Sequence, residues 1–84
     1  MKYTLLLGRT AETELDRLPD LIQARLSKRI LSLGDDPRPQ GCKKLSGRQE
    51  YRVRVGDYRI VYSIDDGERT VRVIAVGHRG EIYR

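Results

Sequence analysis

Three arginines have the spacing most suggestive of chemistry in this 84-residue chain. Arg52, Arg54 and Arg59 flank Gly56-Asp57, a dipeptide typical of a two-residue hairpin turn with glycine first. Such a turn pairs Arg54 with Arg59 across two antiparallel strands and puts all three arginines on one face. Like charges opposed in this way destabilise a sheet by roughly a few tenths of a kcal/mol. The pairing therefore favours an anionic ligand between the arginines, and the alternative is solvated side chains that pair with nearby carboxylates.

Positive charge is concentrated in the same part of the chain. The formal net charge is +5, from 17 Lys and Arg against 12 Asp and Glu. Residues 43–59 supply +4 of this excess, because only Glu50 and Asp57 offset their six basic side chains. A clustered positive field favours a polyanionic partner, RNA or DNA first, and a solvated face is the equal alternative. The six are Lys43, Lys44, Arg48, Arg52, Arg54 and Arg59.

Other kinds of active site have little support in the composition. The chain has one histidine, His78, and one cysteine, Cys42, so we expect neither a metal site nor an internal disulfide. Ser46 and Ser63 do not lie in a nucleophile elbow. No apolar run approaches the roughly 20 residues of a membrane span, and no signal peptide is recognisable. We therefore expect a cytoplasmic protein that does not enter the membrane.

The elements that would position the arginines follow from the change in apolar spacing along the chain. Residues 2–7 favour a strand, and Thr10 is a plausible N-cap for a first helix up to Pro19. A second amphipathic helix follows and ends at Gly34. From Tyr51 the apolar residues alternate, as in half-buried strands. The prediction is one α+β domain over residues 1–84, with an N-terminal strand, a two-helix hairpin and then a three- to four-stranded, mainly antiparallel sheet.

The last predicted strand raises a question about its two faces. Strict alternation puts Arg72 on the same face as the three arginines, and it puts Ile74 and Val76 there as well. That face would be unusually apolar for an exposed surface. Either the register slips in this strand or a partner covers the patch, and we expect a partner.

Several segments together resemble the RelE/ParE toxin superfamily. They are Lys-Lys-Leu-Ser-Gly at residues 43–47, the run from Tyr51 through Tyr58-Arg59 to Tyr62, and the ending Val-Gly-His-Arg-Gly-Glu-Ile-Tyr at residues 76–83. The resemblance covers the whole chain and implies the RelE-like fold. The combination of Arg79 with Tyr83 favours RelE-type RNA cleavage over ParE-type gyrase poisoning.

The resemblance implies the toxin of a type II toxin–antitoxin pair. Such a toxin is a metal-independent endoribonuclease, an mRNA interferase without a cofactor, that cuts mRNA in the ribosomal A site and inhibits translation. Its partner would be a RelB-like antitoxin in a hetero-oligomer. The implied catalytic residues are Arg52, Arg54, Arg59, Arg79 and Tyr83.

Roles can be assigned to these residues as expectations. Tyr83 would be the general base, with its ordinary pKa of about 10 lowered by the surrounding arginines, although a ring that packs on the sheet is the alternative. Arg59 and Arg79 would stabilise the transition-state charge, and Arg52 and Arg54 would hold flanking phosphates or act as weak acids. The best-known RelE pattern often has lysines at these two strand positions, and arginine is a poor proton carrier.

Further side chains are expected around this centre. His78 is a possible proton donor, or else a residue that shapes the end of the strand. We expect four further cations to bind RNA, and the alternative is that they are solvated loop cations without such a role. They are Lys43, Lys44, Arg48 and Arg72.

Two other functions stay open at the level of sequence. A ParE-like inhibitor of DNA gyrase would leave translation intact and would not need Arg79 or Tyr83. A non-catalytic RNA- or ribosome-binding module, including a decayed toxin, would show salt-dependent RNA affinity without cleavage.

Overall fold

The order of elements follows the expected change from helical to strand periodicity. The computed structural model describes residues 2–45 and 49–78. Its elements are β1 (Thr4–Leu7), α1 (Arg9–Asp16), α2 (Asp20–Leu33), β2 (Lys43–Lys44), β3 (Glu50–Val55), β4 (Tyr58–Asp65) and β5 (Thr70–His78).

One mixed sheet carries all five strands of the described residues, in the order β1-β5-β4-β3-β2. Strand β1 runs parallel to β5, and the other neighbours are antiparallel. The α+β class and the strand, two-helix and antiparallel-strand order are confirmed. Four strands follow the helices, because the two-residue β2 adds a short edge that apolar alternation does not reveal.

The β3–β4 hairpin has the register expected from its turn. Val55 pairs with Tyr58, and Arg54 pairs with Arg59. Gly56 has a φ of 61°, a left-handed conformation that glycine adopts without the steric cost of a side chain. The turn therefore fixes which side chains of β3 and β4 share a face.

The core lies between the sheet and the two helices. Alternate residues of β3 and β4 point towards α2, whose buried positions recur every three or four residues. Tyr62 is fully buried, and its hydroxyl donates a hydrogen bond of 2.7 Å to the carbonyl oxygen of Pro37. This bond ties the loop after α2 to the middle of the sheet. The core residues are Ala11, Leu15, Leu26, Ile30, Leu33, Tyr51, Val53, Ile60, Tyr62, Ile64, Val71, Val73 and Val76.

A β-bulge in β5 corrects the expectation of an apolar patch on the open face. Tyr62 pairs with Val73 but Val61 pairs with Ala75, so Ile74 is an extra residue in β5. The shift moves Val76 to the helix side, where it is only 1% exposed. The partner that we expected over Val76 was therefore the wrong alternative, because the register slips instead.

The start of α1 differs from the expected N-cap. The helix begins at Arg9 with Gly8 as its N-cap, and Thr10 lies inside the helix. The amide of Gly8 donates to the carbonyl oxygen of Val73 at 2.8 Å, and a Cβ atom on Gly8 would lie 2.8 Å from the same oxygen. This close approach of two backbones admits only glycine and sets the corner between β1 and α1. The expected helix end at Gly34 is confirmed.

Neither described helix offers a membrane span, since none is long and apolar enough to cross a bilayer.

Candidate functional site

Four cations share the open face of the sheet, opposite the helices. The register pairs Arg54 with Arg59, and it pairs Arg52 with Lys43 of the short strand β2. Residues paired across antiparallel strands project to the same side, so the expected cluster of Arg52, Arg54 and Arg59 is formed, with Lys43 added to it. Lys43 and Arg54 are exposed, whereas Arg52 and Arg59 are half-buried.

Three of these four cations have no ion-pair partner among the described residues. Among residues 2–45 and 49–78, the side chains of Lys43, Arg52 and Arg54 make no ion pair and no hydrogen bond. Their mutual repulsion is therefore not offset by an ion pair with any described residue. A polyanion lying on this face would stabilise the arrangement.

Arg59 lies beside an open stretch of strand. Its Nε atom is buried, and its partner on β5 is Gly77, which has no side chain to fill the adjoining space. A Cβ atom built on Gly77 would meet no atom within 4 Å among the described residues. Arg59 is therefore paired with a position on β5 that carries no side chain.

Arg72 lies on the same face but away from this cluster. It pairs with Ser63 of β4 and Leu6 of β1, and it is exposed. Ser63 is four residues from Arg59 along β4, a distance of about 13 Å at the rise of a strand. The structure therefore does not bring Arg72 together with the four cations.

His78 and Lys44 project to the other side of the sheet. His78 pairs with Tyr58, and the two rings meet edge to face with centroids 5.7 Å apart. Lys44 pairs with Tyr51, a core residue on the helix side. The placement of His78 favours the alternative that it shapes the end of the strand, and of the two lysines only Lys43 faces the arginines.

The remaining predicted site residues, Arg48, Arg79 and Tyr83, lie outside the described residues.

Residues missed by the sequence analysis adjoin the cluster on its β2 side. A cavity of about 490 Å³ is lined by Arg29 of α2 together with Lys43, Arg52 and Arg54. The sequence signal was present in the helical spacing of Arg25 and Arg29. Only the packing of α2 beside β3 shows that this flank of the helix adjoins the strand arginines.

The described residues provide no metal site, although Glu50 shares the open face with Arg52 and Arg54. In the described parts of the chain, no group of three or more His, Cys, Asp or Glu residues could hold a metal ion. The described ion pair between Arg38 and Asp66, with an N–O distance of 2.9 Å, lies in the loops at the opposite end of β3 and β4. The hydrogen bonds from Arg38 and Tyr3 hold the pKa of the Asp66 carboxyl below its usual range.

Comparison with known proteins identifies the family. Residues 5–83 match the family model of the ParE toxin of type II toxin–antitoxin systems. The chain belongs to the RelE/ParE superfamily of type II toxins. Toxin RelG of Mycobacterium tuberculosis is 36% identical to this toxin over 92 residues, which cover 100% of this chain and 99% of RelG.

Solved structures agree with this assignment. The toxin–antitoxin complex RelBE2 from Mycobacterium tuberculosis contains a chain with a TM-score of 0.83 and 32% identity, covering 94% of this toxin and 100% of that chain. The archaeal RelE–RelB complex from Pyrococcus horikoshii gives a TM-score of 0.84 with 26% identity, over 96% of this toxin and 99% of that chain. The similarity extends over nearly the whole toxin, including the sheet that carries the arginines.

Proposed function

We propose that this toxin is an endoribonuclease that cleaves mRNA in the A site of the translating ribosome and so inhibits translation. The observation that carries the proposal is the row of Lys43, Arg52 and Arg54, three cations on one sheet face without counterions among the described residues. The backbone of RNA supplies regularly spaced anions for such a row. The relatives named Toxin RelG and Toxin RelE support the same function.

The proposed reaction is attack of a ribose 2′-hydroxyl on its neighbouring phosphorus. A bond forms between the 2′-oxygen and phosphorus, and the bond from phosphorus to the 5′-oxygen breaks. The products are a 2′,3′-cyclic phosphate and a 5′-hydroxyl end. Tyr83, acting as phenolate, takes the proton of the 2′-hydroxyl as general base, and the departing 5′-oxygen takes a proton from water.

Arginines supply the electrostatic part of this mechanism. Arg59 and Arg79 stabilise the extra negative charge of the phosphorane, because a guanidinium can donate two parallel hydrogen bonds to phosphate oxygens. Arg52 and Arg54 hold the flanking phosphates through the same kind of guanidinium–phosphate hydrogen bond. Charge stabilisation by these groups needs no metal ion in the proposed step.

Other predicted residues would bind RNA outside the reacting phosphate. Lys43 faces the arginines and is placed to contact the message backbone. RNA contacts of Lys44, Arg48 and Arg72 stay predictions. His78 is left out of the proposed proton transfers because its ring packs against Tyr58.

We infer that a RelB-like antitoxin binds this toxin in a hetero-oligomer and keeps it inactive. Both solved structures described above are complexes. One is the toxin–antitoxin complex RelBE2, and the other is a RelE–RelB complex. Acidic side chains on such a partner would form ion pairs with the cations of the open face.

A second candidate function comes from the family model, whose description names a ParE toxin. A ParE-like protein would inhibit DNA gyrase, and the cation row would then contact DNA or an acidic surface of the enzyme. A supercoiling assay with purified gyrase distinguishes this function from the proposed cleavage.

Primer extension on a defined mRNA in a cell-free translation reaction tests the proposal. We expect cuts that appear only while ribosomes translate, with 5′-hydroxyl ends, and that fade with Tyr83→Phe but persist with the control Tyr58→Phe. Intact message with the folded wild type, together with loss of supercoiling in the gyrase assay, would replace the proposed function by the second candidate.

A further inference from the structure

A basic flank of α2 adjoins the strand arginines. Arg25 and Arg29 lie one helical turn apart, about 6 Å along the axis, with Lys28 beside them. Arg52 and Arg54 follow the same face of β3 at a spacing of about 6.6 Å. Two rows of cations with similar spacing thus run along a helix and a neighbouring strand.

Two adjacent cavities connect the rows. Arg29 lines the cavity of about 490 Å³ that also contains Lys43, Arg52 and Arg54. Arg29 lines a second cavity of about 420 Å³, together with Arg25 and Lys28. The two cavities meet at Arg29, and we call the pair the α2–β3 groove.

The short edge strand explains why this groove is open. Strand β2 pairs only Lys43 with Arg52 and Lys44 with Tyr51. Beyond Arg52, β3 has no outer strand among the described residues, so its edge is left beside α2. The groove therefore leads from the open face of the sheet around its edge to the helix side.

The described residues supply no ion-pair partner to the cations of the groove. No carboxylate of the described residues lines either cavity. In the parts of the chain that the structure describes, the six cations make no ion pair, although Arg29 interacts electrostatically with Tyr62. The six are Arg25, Lys28, Arg29, Lys43, Arg52 and Arg54.

We propose that the α2–β3 groove is a second RNA-binding site, which holds the sugar–phosphate backbone of single-stranded RNA where it leaves the cluster around Arg59. The strand would pass Arg54 and Arg52, round the edge of β3 and cross α2 at Arg29. This path runs from β4 towards β3 and β2, whereas Arg72 lies on β5, the strand on the other side of β4. The proposal rests on the proposed function, because it takes RNA as the ligand of the open face.

The lining favours a phosphate backbone over an acidic peptide. Peptide and protein partners are anchored mainly by apolar and aromatic contacts in well-packed pockets. Among the described residues, Val53 and Val55 are the only aliphatic side chains that line these two cavities, and no aromatic ring lines them. Ile22, Leu26 and Tyr58 line a separate cavity beside Arg25. Cations without such anchors are what a sequence-independent phosphate contact requires.

The test is the salt dependence of RNA affinity, measured by fluorescence anisotropy. The probe is a single-stranded RNA carrying 2′-O-methyl groups throughout, so that it binds but cannot be cleaved. One variant combines Arg25→Gln, Lys28→Gln and Arg29→Gln, and Arg29→Gln is made alone. The matched control combines Lys2→Gln, Arg9→Gln and Arg17→Gln, which removes the same charge from exposed positions outside the groove.

The expected result is a change of slope confined to the groove variants. Each phosphate contact of a single strand contributes about 0.7 to the slope of log Kobs against log salt concentration. The groove variant should therefore lose about 2 units of slope, Arg29→Gln about 0.7, and the control almost none. Circular dichroism confirms that each variant is folded.

Two outcomes would overturn the proposal. If the groove variant and the control lose equal amounts of slope, the effect comes from net charge alone and not from contacts in the groove. Unchanged RNA affinity with lost binding of an oligoglutamate peptide would assign the groove to an acidic protein segment. Failure of the proposed function can be told apart from failure of this proposal. A wild type that does not cut message can still show the groove-dependent slope, and a wild type that cuts message can lack it.

Discussion

Tyr62→Phe tests how strongly the sheet holds the loop that leads to Lys43. The change removes a hydroxyl that donates a 2.7 Å hydrogen bond to the carbonyl oxygen of Pro37 in a fully buried position. Loss of such a bond, with the carbonyl left unsatisfied, costs about 1–3 kcal/mol. At about 2 kcal/mol, the Tm of a domain of this size should fall by roughly 8–16 °C.

Thermal and denaturant unfolding measure this effect, and Tyr58→Phe is the matched control. Tyr58 is half-buried and its hydroxyl makes no hydrogen bond with the described residues, so its loss should change stability by less than about 0.5 kcal/mol. A Tm for Tyr62→Phe within about 2 °C of the control would refute the reasoning.

The same variant has a predicted signature in alkali. Burial raises the pKa of the Tyr62 hydroxyl in the folded protein. A tyrosine in the unfolded chain ionises at about pH 10. The stability gained from keeping this hydroxyl neutral is thus complete below about pH 10 and is lost as the pH rises through the folded-state pKa. The alkaline decline in unfolding free energy should be shallower in Tyr62→Phe than in the wild type.

Three further substitutions give separate predictions. Glu14→Ala removes the carboxylate that accepts a 3.0 Å hydrogen bond from the Val76 amide, so stability should fall by about 1–2 kcal/mol and exchange of that amide, followed by NMR, should accelerate. Asp66→Asn should lower the Tm at neutral pH but not in strong acid, because Arg38 lowers the pKa of this carboxyl and its contribution is lost as the pH falls through that lowered value. Gly77→Ala should leave the Tm nearly unchanged, since its Cβ meets no described atom within 4 Å, yet slow cleavage roughly tenfold or more by displacing the phosphate.

Much of the site was predictable because a short turn fixes a long register. The dipeptide Gly56-Asp57 and the alternation on either side of it determine that Arg54 opposes Arg59. The same alternation separates the core face from the arginine face. These relations depend on residues close together in the sequence, which is why the sequence alone was sufficient.

The rest depended on contacts that the sequence pattern does not record. The bulge at Ile74 inverts the faces of the second half of β5, and counting alternate residues cannot detect one inserted residue. Strand β2 has only two residues and no apolar alternation. Arg29 lies beside Arg52 because α2 packs next to β3, a tertiary contact between residues far apart in the chain.

The central claim is that the arginine face stabilises the transition state of RNA cleavage. The most direct measurement is the single-turnover rate of message cleavage on ribosomes with a defined codon in the A site. Arg59→Gln is compared with the control Arg9→Gln, which changes an exposed residue of α1 on the other side of the sheet. The account predicts a fall of about 10²–10³-fold in the cleavage rate for Arg59→Gln and none for the control. An undiminished rate with Arg59→Gln would contradict it.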